Sequence, residues 1–351
     1  MVGTMAVRAV SSSSSSSSML ARVLKLIVLV TAAFGLAAGQ KDAFALDLGA
    51  KTIGGTLNGD QSVVVPPGLY YAESSIVLDG ESTTTLVLQA GTRIMFAPTA
   101  SFEVKSGVLT IQGTAAEPVE LLSTDQAADE YGDETIDSSD NWGGLVFRSL
   151  NQPTYLNVND EYVSGSKVVH CKIVNGGTTS RAAIYMDSTS VLLQNVDVIS
   201  AKGIGVHAYD PILDVLFKDV TVSKAGSDGV YVQSATIGFK AVGMNITESG
   251  RYGLYMYSHV KTIISDSYFA RNRNNQIYTR YGQGSFNLTE VEIVGPGSGS
   301  HDVAVSTLST TSPGQSMFLE NVHVRDMPRG FSYLGSRRPS DSVEIRSRYL
   351  L

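Results

Sequence analysis

The chain has 351 residues, a formal net charge of −7, 43% hydrophobic residues, 34 glycines, 10 prolines and one cysteine. That length holds one large domain or two ordinary ones, and an acidic chain with no basic stripe is poorly matched to nucleic acid. A lone cysteine excludes a disulfide framework within the chain, so stability has to come from a buried core.

Residues 1–45 read as a leader. Ser11 to Ser18 is a homopolymer, and Met19 then opens a segment with Arg22 and Lys25, an apolar run from Leu26 to Ala38, and small-residue sites at Ala37-Ala38-Gly39 and Ala43-Phe44-Ala45. Charged, apolar and cleavage regions in that order make a secretory signal. The run is shorter than the ~20 residues a spanning helix needs. Loss of the leader removes Arg8, Arg22, Lys25, Lys41 and Asp42 and takes the net charge from −7 to −10. No later apolar run is long enough to span a bilayer. Residues 46–351 are therefore expected to be secreted or displayed at the extracellular surface, as one domain.

That domain opens with "LDLGAKTIGGTL" and a turn at Pro66-Pro67-Gly68. From Ser75 short alternating segments follow: Ile76-Val77-Leu78, Leu86-Val87-Leu88, Ile94-Met95-Phe96, Phe102-Glu103-Val104, Leu109-Thr110-Ile111 and Val119-Glu120-Leu121. Gly91, Gly107 and Gly113 stand at corners between them. Residues 125–140 form an insertion with seven acidic residues. It lacks the D-x-[DN]-x-[DN]-G spacing of a calcium loop, so a solvated surface loop is expected. Trp142-Gly143-Gly144 resumes the pattern, and residues 151–165 make a second polar excursion.

Residues 168–334 repeat. Asn195-Val196-Asp197-Val198, Asp219-Val220-Thr221-Val222, Gly243-Met244-Asn245-Ile246, Asp266-Ser267-Tyr268-Phe269, Glu290-Val291-Glu292-Ile293 and Asn321-Val322-His323-Val324 end 24, 24, 23, 24 and 31 residues apart. Each alternates apolar with polar, the pattern of a strand with one buried face. A second segment follows each first one: Ala183-Ile184-Tyr185-Met186, Gly203-Ile204-Gly205-Val206, Gly229-Val230-Tyr231-Val232, Gly253-Leu254-Tyr255-Met256, Gln276-Ile277-Tyr278-Thr279, Asp302-Val303-Ala304-Val305 and Gly330-Phe331-Ser332-Tyr333. Leu193, Phe217, Ala241, Ile264, Leu288 and Leu319 mark a third column upstream of the first. Three short strands per turn, with no helical segments between them, predict an all-β, right-handed single-stranded parallel β-helix. Cys171 falls at an inward position equivalent to Val196 and Val220, so it reads as a small buried residue rather than a nucleophile. Residues 335–351 depart from the register and offer no segment that reads as the cap a last coil needs, the pattern expected of a fragment or of an incomplete gene model.

The run "KTIGGTL", "LVLQAGTRIMFAP", "VLTIQGTAAEPVELLST" and "NWGGLVF", over residues 51–147, resembles the opening of β-helix ectodomain modules in bark beetle-type proteins of tricellular junctions. It is also similar to a wider set of secreted parallel β-helix repeat proteins of the pectin-lyase-like fold. The resemblance implies an extracellular, non-catalytic role in adhesion, with glycine at corners and Trp142 for packing.

Function has to lie on outward positions. In the first segment the outward column is Lys172, Asp197, Thr221, Asn245, Tyr268, Glu292 and His323, a mixed set with no acid cluster and hence no catalytic or metal-ligating group. Galacturonan hydrolases of this fold carry N-T-D, D-D, G-H-G and R-x-K motifs, and the chain has none of them. Tyr209-Asp210-Pro211-Ile212 resembles the D-P-H motif of alginate epimerases, with Ile212 in place of His and the next acid at Asp214. Without that His the acid–base pair is incomplete. A carbohydrate-active lyase or epimerase is the alternative function, and no cofactor is implied.

The second segment is more suggestive. Its outward column is expected to run Tyr185, Gly205, Tyr231, Tyr255, Tyr278, Ala304, Ser332, beside Asp187, His207, Gln233, Tyr257, Arg280, Ser306, Leu334. Coils stack ~4.8 Å apart, so Tyr231, Tyr255 and Tyr278 form a ladder flanked by His207, Gln233, Tyr257 and Arg280. Tyrosine favours strands and stacks on itself for structural reasons alone; it is also enriched, with arginine, at recognition surfaces. The partner of such a face would be a glycan or an extracellular protein. Two N-x-[ST] sequons, at Asn245 and Asn287, fall at outward positions and are expected to carry glycan in a eukaryotic secretory pathway.

Overall fold

A four-residue strand with one apolar face cannot bury that face alone; it does so by lying in register on the same segment of the next coil. The computed structural model follows that rule. It describes residues 45–47, 51–80, 83–98, 100–124, 141–233, 238–258, 261–281, 284–295, 303–309, 316–327, 329–335 and 342–346. The chain divides between Ala43 and Phe44, and the leader up to residue 44 and the acidic insertion at 125–140 lie outside the described residues. The fold is a right-handed parallel β-helix, and its strands have three faces per coil.

The register matches the periodicity over most of the repeat. Leu193 pairs with Phe217, Phe217 with Ala241, Ala241 with Ile264, Ile264 with Leu288 and Leu288 with Leu319 on the first face. Lys172, Asp197, Thr221, Asn245, Tyr268, Glu292 and His323 form the outward column of the second face. Ile184, Val206, Val230, Leu254, Ile277 and Val305 line the inside of the third face, all fully buried or nearly so. Cys171 sits in the core between Val119 and Val196, and burial pushes its thiol pKa far up, which makes it inert. Trp142 is fully buried, stacks on Phe96 with ring centroids 4.3 Å apart, and donates its indole N–H to the Val174 carbonyl at 3.0 Å.

The bends between faces come from single residues in the left-handed region. The first corner is His170, Asn195, Asp219, Gly243, Asp266, Glu290 and Asn321, with φ between 47° and 72°. The second is Asn175, Ser200, Lys224, Glu248, Arg271 and Asp326, with φ between 52° and 58°. The third includes Ser188, Asp210, Ser258 and Tyr281, with φ between 46° and 58°. Asn and Asp tolerate this conformation better than other side chains, which explains why the first residue of so many repeats is Asn or Asp. At Gly243 the strand is interrupted, giving Gly238–Val242 and Asn245–Thr247.

Two expectations are corrected at the ends. The coils begin before Ser75: Ser62–Val65 pairs with Thr85–Gln89, Gly68–Ala72 with Thr92–Phe96, and Thr52–Leu57 with Ile76–Leu78. Pro66 and Pro67 interrupt the alternation there, so the period is hard to see. Ala45–Asp47 lies antiparallel on Thr52–Leu57 and covers that part of the opening edge, where unpaired strand would otherwise invite other chains. At the other end register resumes within residues 335–351, where Ser342–Arg346 pairs in parallel with Ser316–Glu320 of the preceding strand. The polar excursion at 151–165 contains a hairpin, Tyr155–Leu156 against Tyr162–Ser164. Lys218 donates to the Asp160 carbonyl at 2.9 Å and Lys240 pairs with its carboxylate, tying the hairpin to the first face.

The corners yield a test. Asp266 is exposed and has φ 50°, so its substitution reads backbone conformation with little loss of packing. Asp266→Val should destabilise by ~1–2 kcal/mol and Asp266→Gly by less than about 0.5 kcal/mol. Urea unfolding of the two variants measures this; equal losses would show that the left-handed corner is not what the residue supplies.

Candidate functional site

The third face gathers the side chains capable of recognition. Alternation sends Tyr185, His207, Tyr231, Tyr255 and Tyr278 outward from strands Ile184–Asp187, Val206–Tyr209, Val230–Gln233, Leu254–Tyr257 and Ile277–Arg280, and each is paired with the next. The column then continues as Ser306 and Ser332. The flanking column is Asp187, Tyr209, Gln233, Tyr257, Arg280, Leu308 and Leu334.

This corrects the expected register at two coils. His207, not Gly205, occupies the tyrosine column, with Tyr209 beside it; Ser306, not Ala304, continues that column, with Leu308 beside it. In the first case Gly203 and Gly205 both precede an apolar residue, and alternation is blind to a shift of two. Counting 24 residues back from Tyr231 lands on His207. In the second, the coil is lengthened, so that Ile277 meets Val305.

The rings form a ladder, stacked from His207 to Tyr278, with Tyr185 tilted at 54° to His207. Centroid separations are 5.2 Å for Tyr185–His207, 4.5 Å for His207–Tyr231, 4.5 Å for Tyr231–Tyr255 and 5.3 Å for Tyr255–Tyr278. The two central steps are almost parallel, at 8° and 6°. The faces of the inner rings are therefore covered by their neighbours, and what the ladder offers outward is ring edges and phenol hydroxyls. Tyr209 and Tyr257 stand nearly perpendicular to it, at 77° to His207 and 84° to Tyr255. Their ring planes run along the stacking direction.

Residues on the turns complete the face, and sequence reasoning missed them because they lie outside the strand columns. Tyr252 packs on Tyr278 at 4.8 Å, and Tyr281 meets Tyr257 edge-on at 5.2 Å. Arg251 lies over the rings of Tyr252 and Tyr255 and makes a two-point ion pair with Asp228, whose side chain is fully buried. Asp228 also accepts from the Tyr252 backbone N–H at 3.2 Å, so one buried carboxylate positions both neighbours. A count of 24 from Asp228 to Tyr252 would have flagged the pair, since Gly229 and Gly253 follow them in equivalent places. Arg148 pairs with Asp187 at 3.3 Å. Arg280 donates from Nη2 to the Tyr281 hydroxyl oxygen at 2.8 Å and lies 4.7 Å over that ring.

Burial sets the protonation of the ladder. It lifts the Tyr231 phenol to about 12, helped by Tyr255 and Asp228, so the hydroxyl keeps its proton as a donor. It lowers the His207 imidazole to about 4, against opposing effects of Gln233 and Asp187. His207 is thus neutral at pH 7, and its Nε2 is shielded with no hydrogen-bond partner among the described residues.

The acids once aligned with an epimerase motif are occupied structurally. Asp210 holds a left-handed corner at φ 46°, and Asp214 Oδ1 accepts from the Gly238 backbone N–H at 2.8 Å. Among the described residues no group of three His, Cys, Asp or Glu is placed to hold a metal ion.

Comparison with known proteins agrees with this architecture. The family described as a right handed beta helix region matches residues 214–289. No curated protein matches. Among solved structures the chain is similar to tailspike protein 2 of the Escherichia coli O157:H7 bacteriophage CAB120, with TM-score 0.53 and 11% identity over 82% of this chain and 38% of that one. It is also similar to the periplasmic alginate epimerase AlgG, with TM-score 0.39 and 10% identity over 87% of this chain and 80% of that one. The A-module of mannuronan C-5 epimerase AlgE4 from Azotobacter vinelandii aligns with TM-score 0.41 and 13% identity over 82% and 90% of the two chains. At 11% identity the likeness to the tailspike shows the fold alone, and this chain spans 38% of the length of that protein. No described helix is long and apolar enough to cross a membrane.

His207 provides a pH test. Its folded pKa lies below its ordinary 6.5, so an unfolded chain takes up a proton first. Stability is full above pH 6.5 and declines as pH falls towards 4. His207→Phe keeps a ring in the stack and should lose less stability over that interval. Thermal unfolding at a series of pH values reads the difference; parallel curves for the two proteins would contradict the burial of a neutral imidazole.

Proposed function

We propose that the chain is a secreted or cell-surface, non-catalytic module whose third face binds a carbohydrate chain or an extracellular protein, the carbohydrate being preferred. The observation that carries this reading is the outward ring ladder from Tyr185 to Tyr278, stacked from His207 onwards. A row of protonated phenols recurring at each coil presents hydroxyls at a spacing of the order of one sugar ring. The perpendicular rings of Tyr209 and Tyr257 add flat apolar surface beside that row. Amphipathic rings with few rotatable bonds make recognition surfaces at low entropic cost. The resemblance of residues 51–147 to tricellular-junction ectodomain modules supports the extracellular placement, as does the secretory pattern of residues 1–45.

Joint replacement of Tyr231, Tyr255 and Tyr278 by Ser should weaken binding on a glycan array at least about tenfold. Far-UV circular dichroism should still report a β-fold. Unchanged binding by the folded variant would reduce the ladder to strand packing. Release of shortened or unsaturated products from any arrayed polysaccharide would replace the binding role with an enzymatic one.

The sequons bear on the location. Asn245 is exposed, with buried Met244 and Ile246 on either side, and Asn287 is half-buried between buried Phe286 and Leu288. Both point away from the core and neither belongs to the third face. Protein secreted from a eukaryotic host should carry glycan at both, seen by intact mass; the mass of the bare polypeptide would remove this support for a secretory route.

A further inference from the structure

We propose that the occupant of the third face is an acidic polysaccharide whose carboxylate or sulfate group seats on Arg280. This rests on the carbohydrate reading above and narrows it. The charges along the face cancel in pairs: Arg181 meets Glu103 at 3.6 Å, Arg148 meets Asp187 at 3.3 Å, and Arg251 meets the buried Asp228. Arg280 is different. Among the described residues no carboxylate pairs with it, and its Nε is shielded with no acceptor in the protein.

Its surroundings are phenols. Arg280 follows Tyr257 in the flanking column, bonds the Tyr281 hydroxyl and lies over the Tyr281 ring. Tyr278 is two residues before it on the same strand and Tyr255 is one coil away on the ladder. The Tyr281 oxygen accepts from Arg280, which directs its own O–H elsewhere, towards an acceptor. A half-buried guanidinium set among phenol hydroxyls, with no carboxylate pairing with it among the described residues, matches a planar or tetrahedral oxyanion at its terminal nitrogens. A neutral sugar would leave this charge without a counterpart. The attraction must be local, because the chain as a whole is acidic, with a net charge of −7, and repels polyanions at long range.

The test uses the full chain and four immobilised polymers: polygalacturonate and hyaluronan, which carry carboxylates only, dextran sulfate, which carries sulfates only, and neutral dextran. The wild type should bind at least one acidic polymer and bind dextran more weakly. Which acidic polymers it binds tells carboxylate from sulfate. Arg280→Gln should weaken the acidic interaction roughly tenfold or more, and Arg280→Lys, which keeps the charge but loses the planar guanidinium, by less. Salt gives a reading that needs no variant. Raising ionic strength from about 50 to about 500 mM should weaken binding if a local cation holds the polymer, and strengthen it if only long-range repulsion is being screened. Dextran bound as tightly as the acidic polymers, an unchanged affinity in Arg280→Gln, or binding that strengthens with salt would overturn the inference while leaving the carbohydrate reading standing. A wild type that binds none of the four would overturn the carbohydrate reading and this inference together.

Discussion

In-register parallel pairing between successive coils is the constraint on which the rest of this protein depends. Each strand is too short to hold itself, so its backbone groups and its apolar face are satisfied only by the coils above and below. Pairing of that kind requires every coil to bend at the same places, and the left-handed residues at the three corners supply the bends. Inside, the requirement produces columns such as Leu193, Phe217, Ala241, Ile264 and Leu288, fully buried along the axis. Outside, the same requirement aligns whatever side chains happen to stand there. The aromatic face is therefore a direct consequence of the backbone: five rings on five strands meet because their Cα atoms are partners.

The chemistry of the face follows from how those rings meet. Nearly parallel stacking at 4.5 Å covers the faces of the central rings and turns their hydroxyls outward. Partial burial keeps the Tyr231 phenol protonated and His207 neutral, so the ladder is an uncharged row of donors and acceptors. Charge is supplied from its margins. Arg251 is held by a carboxylate buried beneath the surface, which orients it without exposing an acid to a ligand. Arg280 lies over the Tyr281 ring and bonds its hydroxyl, with no carboxylate pairing with it among the described residues. Charged groups thus sit at the edges of the face and stacked uncharged rings at its centre.

Most of the architecture was legible in the sequence because a solenoid writes its contacts as a period. The inward column from Leu193 to Leu319 and the outward column from Lys172 to His323 are the pairs that aligning the alternating segments indicates, at steps of 23 to 25 residues and a last step of 31. Legibility failed where local pattern and period disagreed. Around Gly203 and Gly205 alternation allowed two alignments a residue pair apart, and His207 was displaced from its place in the ladder. Where Pro66 and Pro67 break the alternation, an early coil went unseen, and near residue 302 a longer coil hid the shift to Ser306. The functional margin was less visible still. Tyr252, Tyr281, Arg251 and Asp228 come from turns, where no strand pattern points, and only the stacking of coils brings them to the ladder.

The central claim is that each coil is held chiefly by in-register pairing with its neighbours. Deleting residues 224–247 removes one full period and joins Ser223 to Glu248, the residue that follows Thr247, the register partner of Ser223 on the next coil. Far-UV circular dichroism with thermal unfolding should show a β-fold and a cooperative transition for this variant, while deletion of residues 224–235, half a period, should abolish both. Loss of structure in the full-period deletion to the same extent as in the half-period one would contradict the account.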